Sequence, residues 1–170
     1  MEMRVHVRFV IGRAEQVNHA QSSTAPAPEA AAIIDNTASH RGRGTILLVE
    51  DEQFLREVTC EILESAGYRV LKTGNAVEAL SAFKEFKPIV RLLLTDVVLP
   101  GQNGCDLAND LRAICPDLSI IFVSGYPENA VTRSGIQGDG MAYLPKPFST
   151  QSLMRKVREV LQQTETARAQ

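Results

Sequence analysis

Two spacing patterns of apolar residues alternate along the chain from residue 45 onward. Apolar runs predict buried strands at 46–49, 89–95, 119–123 and 141–144, and residues 68–71 are predicted to form a further strand. Between these runs, apolar residues recur every three or four positions, which predicts helices. The first helix ends near Gly67, and the second begins at Asn75 with Glu78 as its capping partner. Further helices are predicted before Pro116, from 127 to 134, and after Ser149.

The alternation of strands and helices determines the expected fold class. This order requires right-handed crossovers and a parallel sheet with helices on both faces. The third apolar run is continuous rather than alternating, as expected for a strand that is buried on both sides. We therefore predict an α/β fold with a doubly wound, five-stranded parallel sheet. In the second helix we expect Val77, Leu80 and Phe83 to face the core.

The first part of the chain has a different composition. Residues 14–43 are rich in Ala, Ser, Thr, Pro and Gly, and they offer too little apolar surface to offset the entropy cost of ordering them. We predict a largely disordered extension or linker at 1–44, a folded domain at 45–165 and a short tail at 166–170. Alternating Val5, Val7 and Phe9 leave a second interpretation open, in which they form a strand of a preceding domain.

Composition and charge exclude several classes of protein. The formal net charge is −2, from 18 basic and 20 acidic residues, so no strongly basic surface for nucleic acid is expected. No apolar stretch is long enough to span a membrane, and charged residues interrupt the N-terminal segment where a secretory signal would need an apolar core. The three cysteines lack the spacing of a metal or disulfide motif, which indicates reduced thiols in a cytoplasmic protein.

Polar side chains follow the predicted strands at their carboxyl ends. Glu50 and Asp51 follow the first strand, Asp96 the third, Ser124 the fourth and Lys146 the fifth. Each residue alone has an ordinary explanation, such as capping the next helix or occupying a turn. In a parallel sheet, however, the carboxyl ends of the strands meet at one rim, where binding sites form. The sequence therefore predicts a shared site.

The charges of this rim indicate the chemistry that it supports. Three carboxylates and one ammonium group leave an excess of negative charge, which is unfavourable unless a cation compensates it. Oxygen ligands of this kind suit Mg²⁺. A carboxylate beside such a metal can attack phosphorus while a hydroxyl and an ammonium group hold the phosphoryl oxygens. We therefore predict a Mg²⁺-dependent aspartyl-phosphate site.

Four segments of the chain resemble the receiver domain of two-component response regulators. The resemblance covers roughly 45–163, and its motifs occur in the family's order. It implies the strand order 2-1-3-4-5 and phosphorylation by a histidine kinase. The matching segments are Ile46-Leu47-Leu48-Val49-Glu50-Asp51-Glu52, Leu93-Leu94-Thr95-Asp96 with Pro100 and Gly104, Phe122-Val123-Ser124-Gly125-Tyr126, and Tyr143-Leu144-Pro145-Lys146-Pro147-Phe148.

The resemblance implies roles for the residues of the acceptor and metal site. Asp96 resembles the phosphoacceptor and is also a metal ligand. Asp51 resembles the direct Mg²⁺ ligand, and Glu50 would act mainly through metal-bound water. The backbone carbonyl of Val98 is expected to be a further ligand. Glu50 replaces the aspartate found in many relatives, which keeps the charge and adds one methylene.

The resemblance also implies a switch. Ser124 resembles the hydroxyl that binds a phosphoryl oxygen, and Lys146 the lysine that pairs first with the aspartate and then with the phosphoryl group. Tyr143 resembles the aromatic residue that turns inward with this hydroxyl. Pro147 follows a peptide bond that is usually cis in the family.

The implied partners are a sensor histidine kinase or a histidine phosphotransfer domain, and a downstream protein that the sequence does not identify. The face formed by the fourth helix, the fifth strand and the fifth helix would change shape, and transient homodimerisation through it is a family expectation. The chain ends at Gln170, so we expect no DNA-binding output domain and a phosphoacceptor switch rather than an enzyme.

Three alternatives remain. A receiver fragment of a hybrid sensor histidine kinase would carry the same motifs after a linker like 14–43. A Mg²⁺-dependent phosphohydrolase also uses an aspartate nucleophile, but such enzymes of the haloacid dehalogenase type have an acidic residue two positions later, where this chain has Val98. A flavodoxin-like flavin carrier needs a phosphate loop after the first strand, which the acidic residues there would oppose.

Overall fold

The computed structural model describes residues 44–125 and 140–168. The predicted N-terminal extension, Tyr126 and the helix expected at 127–134 lie outside these residues. The strands are β1 (Thr45–Val49), β2 (Arg69–Thr73), β3 (Val90–Asp96), β4 (Ser119–Ser124) and β5 (Met141–Pro145). The helices, numbered among the described residues, are α1 (Gln53–Ser65), α2 (Ala76–Phe86), α3 (Gly104–Ile114) and α4 (Thr150–Arg168).

The five strands form one parallel sheet in the order β2-β1-β3-β4-β5. This order confirms the doubly wound α/β fold that was predicted. Strand β2 pairs with one side of β1, and β3 pairs with the other side. The order in which strands are added to the sheet therefore reverses between β2 and β3. Ligands bind beside this kind of reversal in open α/β sheets.

Alternate residues of the central strands contribute to two separate apolar cores. Leu47 and Val49 face the core that packs against α2 and α3. Ile46 and Leu48 face the opposite core, which packs against α1 and α4. Because successive side chains of a strand point to opposite faces, a strand covered on both sides must be apolar throughout. This requirement explains the continuous apolar runs in the sequence.

Helix α2 corrects one expectation about the core. Its start is as predicted, because the Asn75 side chain accepts a hydrogen bond from the Glu78 backbone at 2.9 Å. The expectation that Val77 faces the core was wrong, since this residue is 70% exposed. The buried stripe runs instead through Ala76, Ala79 and Phe83, which recur at helical spacing. Small alanines bring the helix close to the sheet, and Val77 lies off the stripe.

Helix α4 begins as predicted and ends later than expected. Its first turn is capped by Ser149, whose hydroxyl accepts a hydrogen bond from the Ser152 backbone at 3.1 Å. The helix continues to Arg168, beyond the predicted domain boundary at residue 165. No glycine or proline interrupts residues 150–168, so nothing in the sequence ends the helix earlier.

The three cysteines are free thiols, as predicted. Cys60 and Cys105 are buried and Cys115 is partly buried. Burial raises the pKa of Cys60 to about 11, so its thiol stays protonated at neutral pH. None of the helices in the described ranges is both long and apolar enough to cross a bilayer.

Candidate functional site

The parallel register brings the predicted site residues to one end of the sheet, which we call the carboxyl end. Val49 pairs with Thr95, so the next residues, Glu50 and Asp96, leave neighbouring strands at the same level. Ser124 pairs with Pro145, which places Lys146 directly beyond the end of β4. The site is therefore a direct consequence of strand order and register.

Three carboxylates converge at this end. Glu50, Asp51 and Asp96 each offer an oxygen, and these oxygens lie within 4.8 Å of one another. Glu50 is only 5% exposed, whereas Asp51 is open to solvent. Neither residue caps α1, because the N-cap is Glu52 and its side chain makes no capping hydrogen bond. The ordinary explanation of these acids as helix caps therefore does not apply.

Lys146 joins two of the carboxylates. Its Nζ donates to Asp96 Oδ2 at 2.6 Å and to Glu50 Oε2 at 2.8 Å. The pairing with Asp96 was predicted, but the second bond to Glu50 was not. The side chains of Lys146, Glu50 and Asp96 are 23%, 7% and 13% exposed, so these charge-assisted bonds lie in a region that water only partly reaches.

Burial and charge shift two pKa values in this cluster. Burial raises the pKa of Glu50 above its usual value, and the nearby Asp96 adds to the rise, although the bond from Lys146 opposes it. Burial also lowers the pKa of Lys146, but its bonds to Asp96 and Glu50 outweigh that effect, so the net pKa is raised. The ammonium group is therefore firmly protonated, and the site retains an excess of negative charge.

The loop after β3 fixes the second oxygen of Asp96. The Val98 backbone N–H donates to Asp96 Oδ1 at 3.0 Å, so the backbone of Val98 lies beside the cluster. The assignment of the Val98 carbonyl as a metal ligand remains a prediction. The Val98 side chain is 60% exposed.

Gly104 anchors the other end of this loop. Its N–H donates to the Val97 carbonyl at 2.9 Å. A Cβ atom at position 104 would lie 1.9 Å from the Asp96 carbonyl oxygen, which is far inside van der Waals contact. Gly104 was part of the family resemblance. The structure shows why a glycine is needed there: α3 begins in contact with the backbone of Asp96, which leaves no room for a side chain.

The predicted switch residues lie on the other side of the acidic cluster. The Ser124 carbonyl accepts hydrogen bonds from the Tyr143 hydroxyl and from the Lys146 N–H, both at 2.9 Å. The peptide bond between Lys146 and Pro147 is cis, as predicted. Ser124 thus contacts both of the other predicted switch residues. The role of the Ser124 hydroxyl toward a phosphoryl oxygen remains a prediction.

Sequence reasoning missed one residue of the site. The Arg56 guanidinium, on α1, donates to the backbone carbonyls of Glu50 and Asp51. A signal was available, because Arg56 lies in the first turn of α1, where the helix dipole disfavours a cation. A cation at that position indicates a specific partner.

The residues present suit a hard divalent cation. Carboxylate oxygens from β1 and β3 offer a donor set with more negative charge than Lys146 neutralises. Glu50, Asp51 and Asp96 are the side chains that would hold such an ion. Receiver domains generally bind Mg²⁺ through an acidic pocket of this kind.

Comparisons with known proteins agree with this geometry. The response regulator receiver domain family matches residues 46–158. The sensor kinase CckA of Brucella abortus is 35% identical over 146 residues, which are 86% of this chain and 15% of that protein. The response regulator receiver protein CpdR of the same species is 34% identical over 116 residues, which are 68% of this chain and 95% of that protein. The chain therefore spans nearly all of CpdR but only a small part of CckA.

A solved structure gives the same result. The receiver domain of the hybrid histidine kinase CckA superposes with a TM-score of 0.61 at 33% identity, covering 69% of this chain and 99% of that domain. A CheY-like receiver domain protein from Methanospirillum hungatei reaches a TM-score of 0.63 at 31% identity, covering 73% of this chain and 98% of that one. With most of its length matched by the family and its fold shared with these structures, the chain belongs to the response regulator receiver domain family of two-component systems.

Proposed function

We propose that the chain is a phosphoacceptor switch that receives a phosphoryl group on Asp96, from a histidine kinase or a histidine phosphotransfer protein, in the presence of Mg²⁺. The observation that carries this proposal is the convergence of Glu50, Asp51 and Asp96 within 4.8 Å, with the Lys146 ammonium bonded to two of them. The resemblance to receiver domains supports the same roles.

The bonding of Asp96 suits a nucleophile whose position is fixed in advance. One oxygen accepts a hydrogen bond from the Val98 N–H and the other from Lys146. A carboxylate oxygen would attack the phosphorus atom, forming a P–O bond while the bond to the donor imidazole, or to acetate in acetyl phosphate, breaks. Mg²⁺ would supply positive charge to neutralise the transferring phosphoryl group.

Lys146 would change partners during this reaction. Before transfer its ammonium holds Glu50 and Asp96. After transfer, the phosphoryl group on Asp96 would carry more negative charge than the carboxylate did. Lys146 would then pair with one of the phosphoryl oxygens. Ser124, whose carbonyl is bonded to Tyr143 and Lys146, would offer its hydroxyl to another. These exchanges would link phosphorylation to the position of Tyr143.

The output would be a protein contact. We infer that the face formed by β5, α4 and the predicted helix at 127–134 changes shape on phosphorylation, and that it binds a downstream partner or a second copy of the chain. The predicted helix lies outside the described residues. A cytoplasmic, non-enzymatic and DNA-independent role completes the proposal.

Intact-mass measurement after incubation with acetyl phosphate and MgCl₂ tests the proposal. The wild-type protein should gain the mass of one phosphoryl group, and the gain should vanish with EDTA and in Asp96→Asn. Asp106→Asn is a matched control, since Asp106 is an exposed aspartate on α3 outside the cluster, and it should be phosphorylated like the wild type. An unchanged wild-type mass, or an adduct that persists in Asp96→Asn, would contradict the proposal.

The phosphohydrolase alternative predicts a different result. It requires an acid or base two residues after the nucleophile, where the chain has the exposed, apolar side chain of Val98. Repeated phosphate release from p-nitrophenyl phosphate, far beyond one equivalent per chain, would favour that alternative. We expect no such turnover.

A second context, the receiver segment of a hybrid sensor kinase, is favoured by one observation. The similarity to CckA covers 86% of the chain, against 68% for the stand-alone receiver protein CpdR. The CckA match is therefore longer than the segment from residue 44 to the end of the chain. Sequencing the DNA upstream of the Met1 codon tests this context: an open frame encoding a kinase would support it, and a stop codon in that frame would contradict it.

A further inference from the structure

Arg56 connects α1 to the turn that carries two of the three clustered carboxylates. Its Nη1 donates to the Glu50 carbonyl and, at 3.2 Å, to the Asp51 carbonyl. A guanidinium nitrogen of this type carries two hydrogens, so a single Nη1 can serve both acceptors. Arg56 thus binds the backbone of Glu50 and Asp51 rather than their carboxylates.

The same guanidinium packs against a second turn. A Cβ atom at Gly74, between β2 and α2, would lie 3.3 Å from Arg56 Nη1 and 3.6 Å from Cζ. The Gly74 N–H is itself fixed by a 2.9 Å hydrogen bond to Glu78 Oε2. Arg56 therefore fills the space between the turn after β1 and the turn after β2. A larger residue at position 74 would press on the guanidinium.

The dipole of α1 does not by itself explain a cation at this position. Arg56 lies in the first turn of α1, near the positive end of the helix dipole. Within the described part of the chain its hydrogen-bond partners are carbonyl oxygens, not a carboxylate. The two carbonyl bonds therefore join Arg56 to the backbone of this turn, in addition to any attraction between its charge and the acidic residues before α1.

We propose that Arg56 is a positioning residue of the metal site: it holds the turn after β1 so that the Glu50 and Asp51 carboxylates stay directed at Asp96. The inference rests on the proposed function, since it concerns the same acidic cluster. It complements the role of Lys146, which binds the side chains of Glu50 and Asp96 directly.

Positioning and charge predict opposite effects on Mg²⁺ binding. A guanidinium near a cation site repels the cation, so removal of its charge alone would tighten Mg²⁺ binding. Removal of the two carbonyl bonds would instead let the turn relax and separate the carboxylates, which weakens binding. The sign of the change therefore distinguishes the two roles.

The experiment is a titration of the whole protein with MgCl₂, followed by two-dimensional NMR, without any phosphoryl donor. Arg56→Met should raise the Mg²⁺ dissociation constant about 10- to 100-fold, as loss of a residue that orients metal ligands typically does. Arg91→Met is the matched charge control, because Arg91 is an exposed residue on β3 about 16 Å from Asp96 along the strand. It should leave the dissociation constant within about twofold of the wild-type value.

A second control separates positioning from general destabilisation. Val157 is fully buried on α4, in the core that α4 shares with α1. Val157→Ala should lower the unfolding midpoint and leave Mg²⁺ affinity unchanged. If it weakens Mg²⁺ binding as much as Arg56→Met does, the effect is one of general loosening and the inference is overturned.

The remaining outcomes also decide the question. Unchanged or tighter Mg²⁺ binding by Arg56→Met would overturn the inference. If that variant does not fold, Arg56→Lys decides, because it keeps the charge but not the planar guanidinium: a dissociation constant raised about threefold or more supports positioning, and an unchanged one overturns it. Absence of Mg²⁺ binding by the wild-type protein would overturn the proposed function itself, and the inference with it.

Discussion

The two ends of the sheet use polar groups in different ways. At the carboxyl end, three carboxylates and one ammonium group share a partly buried site. At the amino end of β4, by contrast, a buried side-chain contact joins two hydroxyls. Ser119 Oγ lies 2.6 Å from Thr164 Oγ1, and Thr164 in turn donates to the Val160 carbonyl at 3.1 Å.

This difference indicates that the carboxyl end serves ion binding and that the hydroxyl pair at the amino end serves only stability. Charges of one sign placed close together oppose folding unless a partner compensates them, and burial adds a desolvation cost. Neutral hydroxyls that satisfy one another contribute modestly to stability and leave nothing to bind an ion. Substitutions at the amino end should therefore change stability alone. Substitutions at the carboxyl end should change Mg²⁺ binding, and some of them should stabilise the protein.

The largest expected effect is that of Gly104→Ala. The new Cβ would lie 1.9 Å from the Asp96 carbonyl oxygen, so either α3 or the acceptor loop must move. We expect the free energy of unfolding to fall by about 3 kcal/mol or more, at the upper end for overpacked sites. Chemical denaturation checks the stability, and a MgCl₂ titration should show weaker binding.

Gly125→Ala is the matched control for this substitution. Among the described residues, no heavy atom would lie within 4 Å of a Cβ atom at position 125, so the change should alter the free energy of unfolding by less than about 0.5 kcal/mol. Equal stability of the two variants would contradict the steric role of Gly104.

Ser119→Ala should have a smaller effect, confined to stability. Ser119 is 1% exposed, and the variant loses the hydroxyl pair with Thr164. We expect a loss of about 1 kcal/mol in the free energy of unfolding, the usual contribution of one hydrogen bond. The Mg²⁺ dissociation constant should not change. A clear loss of Mg²⁺ affinity would show that the two ends of the sheet are coupled, contrary to this account.

Asp51→Asn should produce a small change in stability, with the opposite sign to that of Ser119→Ala. It removes one of three like charges that lie within 4.8 Å of one another, so without Mg²⁺ the variant should be more stable by up to about 1 kcal/mol, a modest gain because Asp51 is exposed. MgCl₂ should raise the melting temperature of the wild type but not of the variant. Thermal unfolding in EDTA and in MgCl₂ measures both effects. A variant that is less stable than the wild type in EDTA would contradict the charge argument.

The sheet could be predicted almost completely from the sequence. Continuous apolar runs determined which strands are buried on both faces, and the alternation with helices determined that the sheet is parallel. The error at Val77 has a physical cause. A stripe of alanines carries little hydrophobic signal, so the larger valine nearby was taken for the buried face, although it is 70% exposed.

The site was predictable in its members but not in all its contacts. Strand ends and the family resemblance identified Glu50, Asp96 and Lys146, and the structure brings them together. The position of Arg56 in the first turn of α1 was a signal, but its acceptors could not be predicted, because a backbone carbonyl leaves no trace in the sequence. The same holds for the contact between Gly104 and the Asp96 backbone.

The most direct test of the central claim is a crystal structure of the protein grown with MnCl₂, with Mn²⁺ as a stand-in for Mg²⁺ that gives an anomalous signal. The account predicts one anomalous peak between the Asp51 and Asp96 carboxylates, with the Val98 carbonyl as a further ligand. Absence of a peak there, or a single peak elsewhere on the molecule, would contradict the assignment of this acidic cluster as a metal site.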